Sequence, residues 1–198
     1  MIDLELFKNI ITEARHNVDL LDSYSVNQFK SKEKLIDHLF ELNILDLNSQ
    51  VTILGSWYGS ILVPFLYKKV KEIVLLDQDD NVIRIAKNRL FKHYKNIDYL
   101  TADVFNLGNF TEKVIQSNLL INTSCEHMQP MNMLSELKNY KGYFAFQSNN
   151  MFDIETHINC VNNLNEFKNQ LPKNIDILIE DEIKDNRGTR FTIIGKMI

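Results

Sequence analysis

Apolar residues at three- and four-residue steps open the chain. Leu4, Phe7, Ile10, Ile11, Ala14, Val18 and Leu21 form one stripe, which predicts an amphipathic helix over residues 3–21. A second helix is expected from Ser31, in an S-x-x-K start, through Leu35, Ile36, Leu39, Phe40 and Leu42 to about residue 45. The period then changes. The run VTILG at 51–55 is short, nearly continuous in apolar residues and closed by glycine, as a strand buried on both faces is. Runs of the same type recur as EIVLLD at 72–77, IDYLT at 97–101, LLIN at 119–122 and YFAFQ at 143–147, with helical stretches between them. Strands alternating with helices predict βαβ units and five parallel strands, because a crossover helix has to cover each face of a parallel sheet. The pattern breaks near the end. IDILIEDEI at 175–183 and TRFTIIG at 189–195 are joined only by KDNRG, a connection that fits a hairpin, so the last strand is expected to run antiparallel to the others.

A chain of 198 residues with 44% hydrophobic residues can bury enough apolar surface to fold as one α/β domain over 1–198. Its expected parts are an N-terminal helical cap at 1–48 and a core at 49–198. A net charge of -4 with a pI near 5.7 lacks the field that nucleic-acid binders depend on, so no nucleic-acid partner is expected. The densest positive stretch, from Lys68 to Lys95, reads as a solvated helix face. Two cysteines, Cys125 and Cys160, are too few for a disulfide scaffold and suit a reducing compartment. No run approaches the roughly 18 apolar residues that span a bilayer, and charges interrupt the first 21 residues, so a cytoplasmic protein without membrane contact is expected. None of these features bears on the oligomeric state.

Chemistry concentrates where the strands end. GSWYG at 55–59 leads from the first strand into a helix beginning at Ser60, and glycines there permit a tight turn and close approach of backbone N–H groups to a ligand. Asp77, 22 residues after Gly55, closes the second strand, where a carboxylate can accept hydrogen bonds from two ribose hydroxyls. Asp79 or Asp80 can cap the next helix, which leaves Asp77 free for a ligand. Asp103 follows the third strand, where it can accept from an exocyclic amine such as that of adenine. Three such features facing one crevice point to a nucleoside site.

The order VTILGSWYG, IVLLDQD, YLTADVF, LLINTSCEHM, GYFAFQSNN and a C-terminal hairpin resembles class I S-adenosylmethionine-dependent methyltransferases of the small-molecule type, over about residues 50–196. The resemblance implies a doubly wound, Rossmann-like α/β fold. Its seven-stranded sheet would have the order 3-2-1-4-5-7-6 with strand 7 antiparallel, here preceded by two N-terminal helices. It implies S-adenosylmethionine as the cofactor. Gly55, Ser56 and Gly59 would lie against the methionine portion, Asp77 would hold the ribose, Asp103 would meet the adenine amine and Asn122 would open the crevice near the sulfonium. Trp57, Tyr58, Gln78 and Val104 would flank the same cofactor. Two departures stand out. Trp57 occupies a position that is ordinarily glycine, so it must point away from the cofactor or stack on it. The segment NTSC at 122–125 lacks the Asn-Pro-Pro-aromatic pattern of many nucleic-acid amino-methylating enzymes, which argues against base methylation.

Cys125, Glu126 and His127 resemble the stretch around the Glu-His pair that many small-molecule methyltransferases carry after strand four. His127 or Glu126 is the candidate general base, imidazole being the better proton acceptor near neutrality. Alternatively the two residues only begin or cap the next helix. Gln147, Asn149, Asn150 and His157 cluster at and beyond the end of strand five, which suits recognition of a small polar substrate. Cys125, His127, His157 and Cys160 do not have zinc-finger spacing, and no metal is expected. Arg190 reads as a solvent-facing or ion-paired strand residue.

The function expected is methyl transfer to a small polar acceptor, with the N-terminal helices covering the acceptor site. A nicotinamide-dependent dehydrogenase shares the glycine turn and the acid after strand two, but calls for G-x-G-x-x-G and a parallel sixth strand where this chain has GSWYG and a hairpin. A non-catalytic nucleoside-binding protein on the same fold is the remaining alternative.

Overall fold

In the computed structural model, which describes residues 3–198, the apolar runs become seven strands: β1 (Gln50–Leu54), β2 (Glu72–Asp77), β3 (Ile97–Thr101), β4 (Leu119–Asn122), β5 (Tyr143–Asn149), β6 (Ile175–Lys184) and β7 (Thr189–Met197). Residues 1 and 2 of the expected single unit lie outside the described residues. The strands form one sheet in the order β3-β2-β1-β4-β5-β7-β6. The pairs among β3, β2, β1, β4 and β5 are parallel, while β7 runs antiparallel to both neighbours. The doubly wound order and the terminal hairpin therefore stand as expected.

Strand alternation sorts the core onto two faces. Val51 and Ile53, Ile73 and Leu75, and Leu119 and Ile121 point to one side with Ala145 and Ile194; Leu54, Leu76, Leu120, Phe144, Phe146 and Ile193 point to the other. Each fully buried Leu, Ile or Phe contributes about 1.5–3 kcal/mol of transfer free energy, so a one-residue slip of any central strand would forfeit several such terms at once. The first face is covered by the N-terminal helices through Leu6, Leu20, Leu35 and Leu39 and by Val63, Leu66 and Ile83; the second takes Val114, Leu137 and Phe167.

The helices differ from the pattern in three places. The stripe over 3–21 is two helices, α1 (Leu4–Ala14) and α2 (Val18–Asp22). Asn17 breaks it: its backbone is extended and its Oδ1 accepts from the Leu20 N–H at 3.1 Å, so a short amide captures the orphan donors of a new helix start. The second predicted helix, α3 (Val26–Glu41), begins five residues before Ser31, so three helices precede the sheet rather than two. The remaining helices are short: α4 (Leu62–Leu66), α5 (Asp80–Ile85) running into a π turn at Ala86–Leu90, α6 (Thr111–Ile115) and α7 (Leu164–Asn169). Between β4 and β5 there are only 3₁₀ turns, at Cys125–His127, Met131–Met133 and Ser135–Lys138. Glu126 and His127 thus lie in a tight turn and not at the start of an α-helix.

Candidate active site

The carboxyl ends of β1, β2, β3 and β4 and the N-terminal helices enclose a cavity of about 500 Å³. Its floor is the turn after β1. Gly55 and Gly59 have left-handed φ angles of +58° and +66°. At Gly59 a Cβ would stand 2.9 Å from Val63 Cγ2 and 3.1 Å from the Leu75 methyls, so glycine is also required for close packing of α4 on the sheet. Trp57 has φ of +48°, the same left-handed conformation that glycine adopts without strain. Its backbone N–H donates to Asp77 Oδ2 at 2.7 Å, and its ring tilts against Tyr58 at 5.4 Å between centroids. The strained residue, one of those lining the cavity, is thus held by the neighbouring strand's carboxylate.

Asp77 does double service. Oδ2 fixes the turn and Oδ1 accepts from the Asp79 N–H at 3.0 Å, which leaves each oxygen with acceptor capacity to spare in a residue that, with Gln78, lines the cavity. Asp79, one of the two acids expected to do so, caps α5 through the Asn81 and Val82 N–H groups. Asp103 and Val104 line the same wall, with Asp103 Oδ1 accepting from the Phe105 N–H at 2.9 Å. The helical cap is tied to this end by two polar links. Tyr58 Oη bonds the Asn17 amide at 2.9 and 3.1 Å, and the hydroxyls of Ser23 and Ser60 meet at 2.6 Å.

The far end is made of side chains from several elements. Glu126 is buried, and its Oε1 accepts from Asn149 Nδ2 at 2.6 Å and Arg190 Nη1 at 3.3 Å, while Oε2 has no partner. His127 donates from Nδ1 to the Thr156 carbonyl at 3.1 Å, and His157 donates from Nδ1 to the Met151 carbonyl at 3.0 Å; a carbonyl only accepts, so each ring keeps a free lone pair on Nε2. The two rings meet edge to face at 4.5 Å. Withdrawal from water and the neighbouring His127 hold His157 below the ordinary histidine value, against the pull of Glu126. Lys32, on α3, lines the cavity and donates to Gln28 Oε1. Loss of hydration and the Arg190 guanidinium bring its ammonium down to about 7, opposed by Glu126 and Asp22.

Not every expected residue reaches the cavity. Gly55, Ser56, Trp57, Tyr58, Gly59, Asp77, Gln78, Asp103, Val104, Glu126, His127 and His157 line it together. Asn122 is fully buried behind the wall, with Nδ2 against the sulfurs of Met128 and Met131 and Oδ1 accepting from the Ser124 N–H. Gln147 is fully buried, tying β5 to the Ser31 carbonyl and the Thr192 hydroxyl. Asn149 stands behind Glu126 and also accepts from the Met151 N–H. Asn150 accepts from the Thr189 N–H at 2.6 Å, joining β5 to β7. Cys125 packs into the second core face, away from His127, whereas Cys160 Sγ lies 3.6 Å from His157 Nδ1. Arg190 takes the ion-paired of its two expected roles. Lys32 and Arg187 also line the cavity and have no signal in the sequence, since nothing in a local pattern separates them from solvated basic residues.

No protein-family model matches the chain, and no curated protein matches it. Solved structures do. Magnesium protoporphyrin IX methyltransferase (ChlM) from Synechocystis PCC 6803 with bound SAH superposes with a TM-score of 0.70 at 11% identity, covering 98% of this chain and 94% of that one. N-methyltransferase NodS from Bradyrhizobium japonicum WM9 in complex with S-adenosyl-L-homocysteine gives 0.65 at 11% identity over 98% of both chains. This chain has the fold of the class I S-adenosylmethionine-dependent methyltransferases, as the order of its strand ends led us to expect.

Proposed function

We propose that the chain is an S-adenosylmethionine-dependent methyltransferase acting on a small polar acceptor. The observation that carries this reading is that one cavity offers the Gly55–Gly59 turn with Asp77 and Asp103 and also Glu126, His127 and His157. The residues fit the cofactor. Backbone left bare by two glycines can approach the methionine portion, the Asp77 lone pairs suit vicinal hydroxyls, and the volume falls within the 300–1,000 Å³ range of small-molecule sites. The cofactor supplies an electrophilic methyl group on a positive sulfur, so little bond activation is asked of the protein.

The chain's own residues then have three tasks: hold the acceptor near attack distance, receive its proton where it carries one, and exclude water. His127 Nε2 is the proton acceptor of choice, since its ring is oriented by the Thr156 carbonyl and keeps that nitrogen's lone pair free. Glu126 shares the acceptor end, fixed by Asn149 and Arg190. Lys32 and Arg187 add hydrogen-bond donors to the cavity wall, which suits a polar acceptor. The net charge of -4 and the absence of Asn-Pro-Pro-aromatic at 122–125 speak for a small molecule over nucleic acid. Among the described residues no helix is long and apolar enough to cross a membrane, and the free thiols of Cys125 and Cys160 fit a cytoplasmic setting.

Calorimetric titration with S-adenosylmethionine, S-adenosylhomocysteine and NAD tests the reading. Saturable binding of the first two with one site per chain, and none of NAD, is the expected result. Tight NAD binding, or no binding of any of the three by folded protein, would overturn it.

A further inference from the structure

One group of side chains in the cavity is arranged for more than proton transfer. One donor atom from each of Glu126, His127 and His157 lies within 4.8 Å of the other two. Both imidazoles give their Nδ1 protons to backbone carbonyls, of Thr156 and Met151, which fixes the tautomer that leaves Nε2 free. That is how metal-bound histidines are held: the second nitrogen is tied to an acceptor, so the ring is oriented and its free nitrogen made more basic. The carboxylate is treated in the same way. Asn149 and Arg190 occupy Oε1, and Oε2 is left buried without a partner, in a residue only 3% exposed. An unpaired buried carboxylate oxygen costs free energy unless something fills its coordination, and a cation does so.

We propose that Glu126, His127 and His157 bind one divalent first-row transition-metal ion of the zinc class at the acceptor end of the cavity. Two imidazoles and one carboxylate suit zinc, cobalt, manganese or iron, whereas magnesium and calcium take oxygen ligands. Donors at about 2.0–2.2 Å from a tetrahedral ion stand roughly 3.3–3.6 Å apart. The donors, within 4.8 Å of one another, have to draw closer around such an ion, and His127, exposed at the cavity, is the side chain with most room to move. Three protein ligands leave at least one coordination position open to the cavity, as in catalytic sites and unlike closed structural ones. Arg190 offsets the charge of Glu126, so affinity depends on both histidines more than on attraction by net negative charge.

The binding itself stands apart from the proposed methyl transfer, but its use rests on that reading. An ion in this position would take an oxygen or nitrogen of the acceptor into its open position and lower that group's pKa, so that its proton would pass to solvent before methyl transfer, and His127 would serve as a ligand in place of a base. The acceptor class that follows is a molecule carrying a hydroxyl or similar donor able to ligate a transition metal.

The test uses the full chain without a polyhistidine tag, stripped with chelator and titrated with Zn²⁺ by calorimetry and Co²⁺ by absorption. One equivalent is expected, with the ligand-field bands of low-coordinate cobalt. His157→Ala and His127→Ala should each weaken Zn²⁺ by at least tenfold. Cys160→Ser should leave it unchanged, and excess Mg²⁺ should not compete. Circular dichroism and the thermal midpoint verify that the variants are folded. Absence of Zn²⁺ binding up to millimolar, binding unaffected by either histidine change, or loss only in Cys160→Ser would overturn the site. Titration with S-adenosylmethionine in the stripped protein is read separately. Saturable cofactor binding together with a failed Zn²⁺ titration sinks only this inference, and Zn²⁺ binding together with a failed cofactor titration sinks only the methyltransferase reading.

Discussion

The two ends of the cavity are built on different physical plans. The turn end is backbone and strand-end acids: Gly55, Trp57 and Gly59 in left-handed conformations, held by Asp77 from the adjacent strand. Everything there lies within a few residues of β1, β2 or β3, so parallel pairing alone brings it together. The far end converges from distant places: Lys32 on α3, Glu126 and His127 after β4, His157 beyond β5 and Arg190 on β7. Its order depends on one buried carboxylate shared by Asn149 and Arg190. The comparison teaches that one end is assembled by topology and the other by side-chain electrostatics, and the two should fail differently when perturbed.

The largest effect is expected at the electrostatic end. Arg190→Met removes the cation beside a Glu126 that is 3% exposed, and leaving one partner of a buried pair uncompensated costs about 3–5 kcal/mol. Adding Glu126→Gln should restore much of that loss. Denaturant unfolding of the single and double variants measures both; equal stability of Arg190→Met and wild type would show that the pair does not organise this end.

Next comes His127→Gln. Turnover should fall by about 100-fold or more with cofactor affinity nearly unchanged, because Nε2 serves the acceptor end, as base or as metal ligand, while the turn end is untouched. A change confined to the thermal midpoint, of about 1 kcal/mol, would instead make His127 a local structural residue.

Asp77→Ala attacks the other plan. It removes both the proposed ribose acceptor and the hydrogen bond to the Trp57 N–H, and should weaken S-adenosylmethionine by roughly 1.5–3 kcal/mol. Metal binding at the far end should stay as it was. An unaltered dissociation constant in a folded Asp77→Ala chain would contradict the assignment.

The smallest effect is a slope in pH. In the unfolded chain Lys32 keeps its proton to about 10.5, whereas in the folded chain it releases it near 7. The unfolded state binds more protons between these values, so this group's contribution to stability rises with pH across that window, and its full penalty stands below about 7. Lys32 is only partly buried, so solvent screening reduces the effect. Unfolding free energies at pH 7 and 9.5 should show a shallower rise in Lys32→Met than in wild type; identical slopes would place its ammonium in water.

How much was legible follows the same division. The five parallel strands and the closing hairpin could be read because each strand is a local run and KDNRG is too short for a crossover. Helix starts were read less well. Asn17 interrupts an unbroken apolar stripe with one side-chain hydrogen bond, and α3 begins on polar residues that a periodic pattern passes over. Asp77, Asp103 and the glycine turn were visible because strand ends are local landmarks. Gln147, Asn149 and Asn150 show the limit: all three belong to one short stretch of β5 and its exit, yet their amides tie elements together and do not line the cavity.

The sequence by itself determined the period of burial, the parity of each strand, the turn chemistry at Gly55 and Gly59 and the handedness of the order that follows. These depend on neighbours within a few residues. Only the tertiary structure decided that Glu126 has one oxygen held and one free, that His127 and His157 meet with free nitrogens, and that Lys32 loses its hydration beside Arg190. The physical reason is that hydrogen-bond satisfaction and desolvation are set by what arrives from elsewhere in the chain, and no local pattern records that.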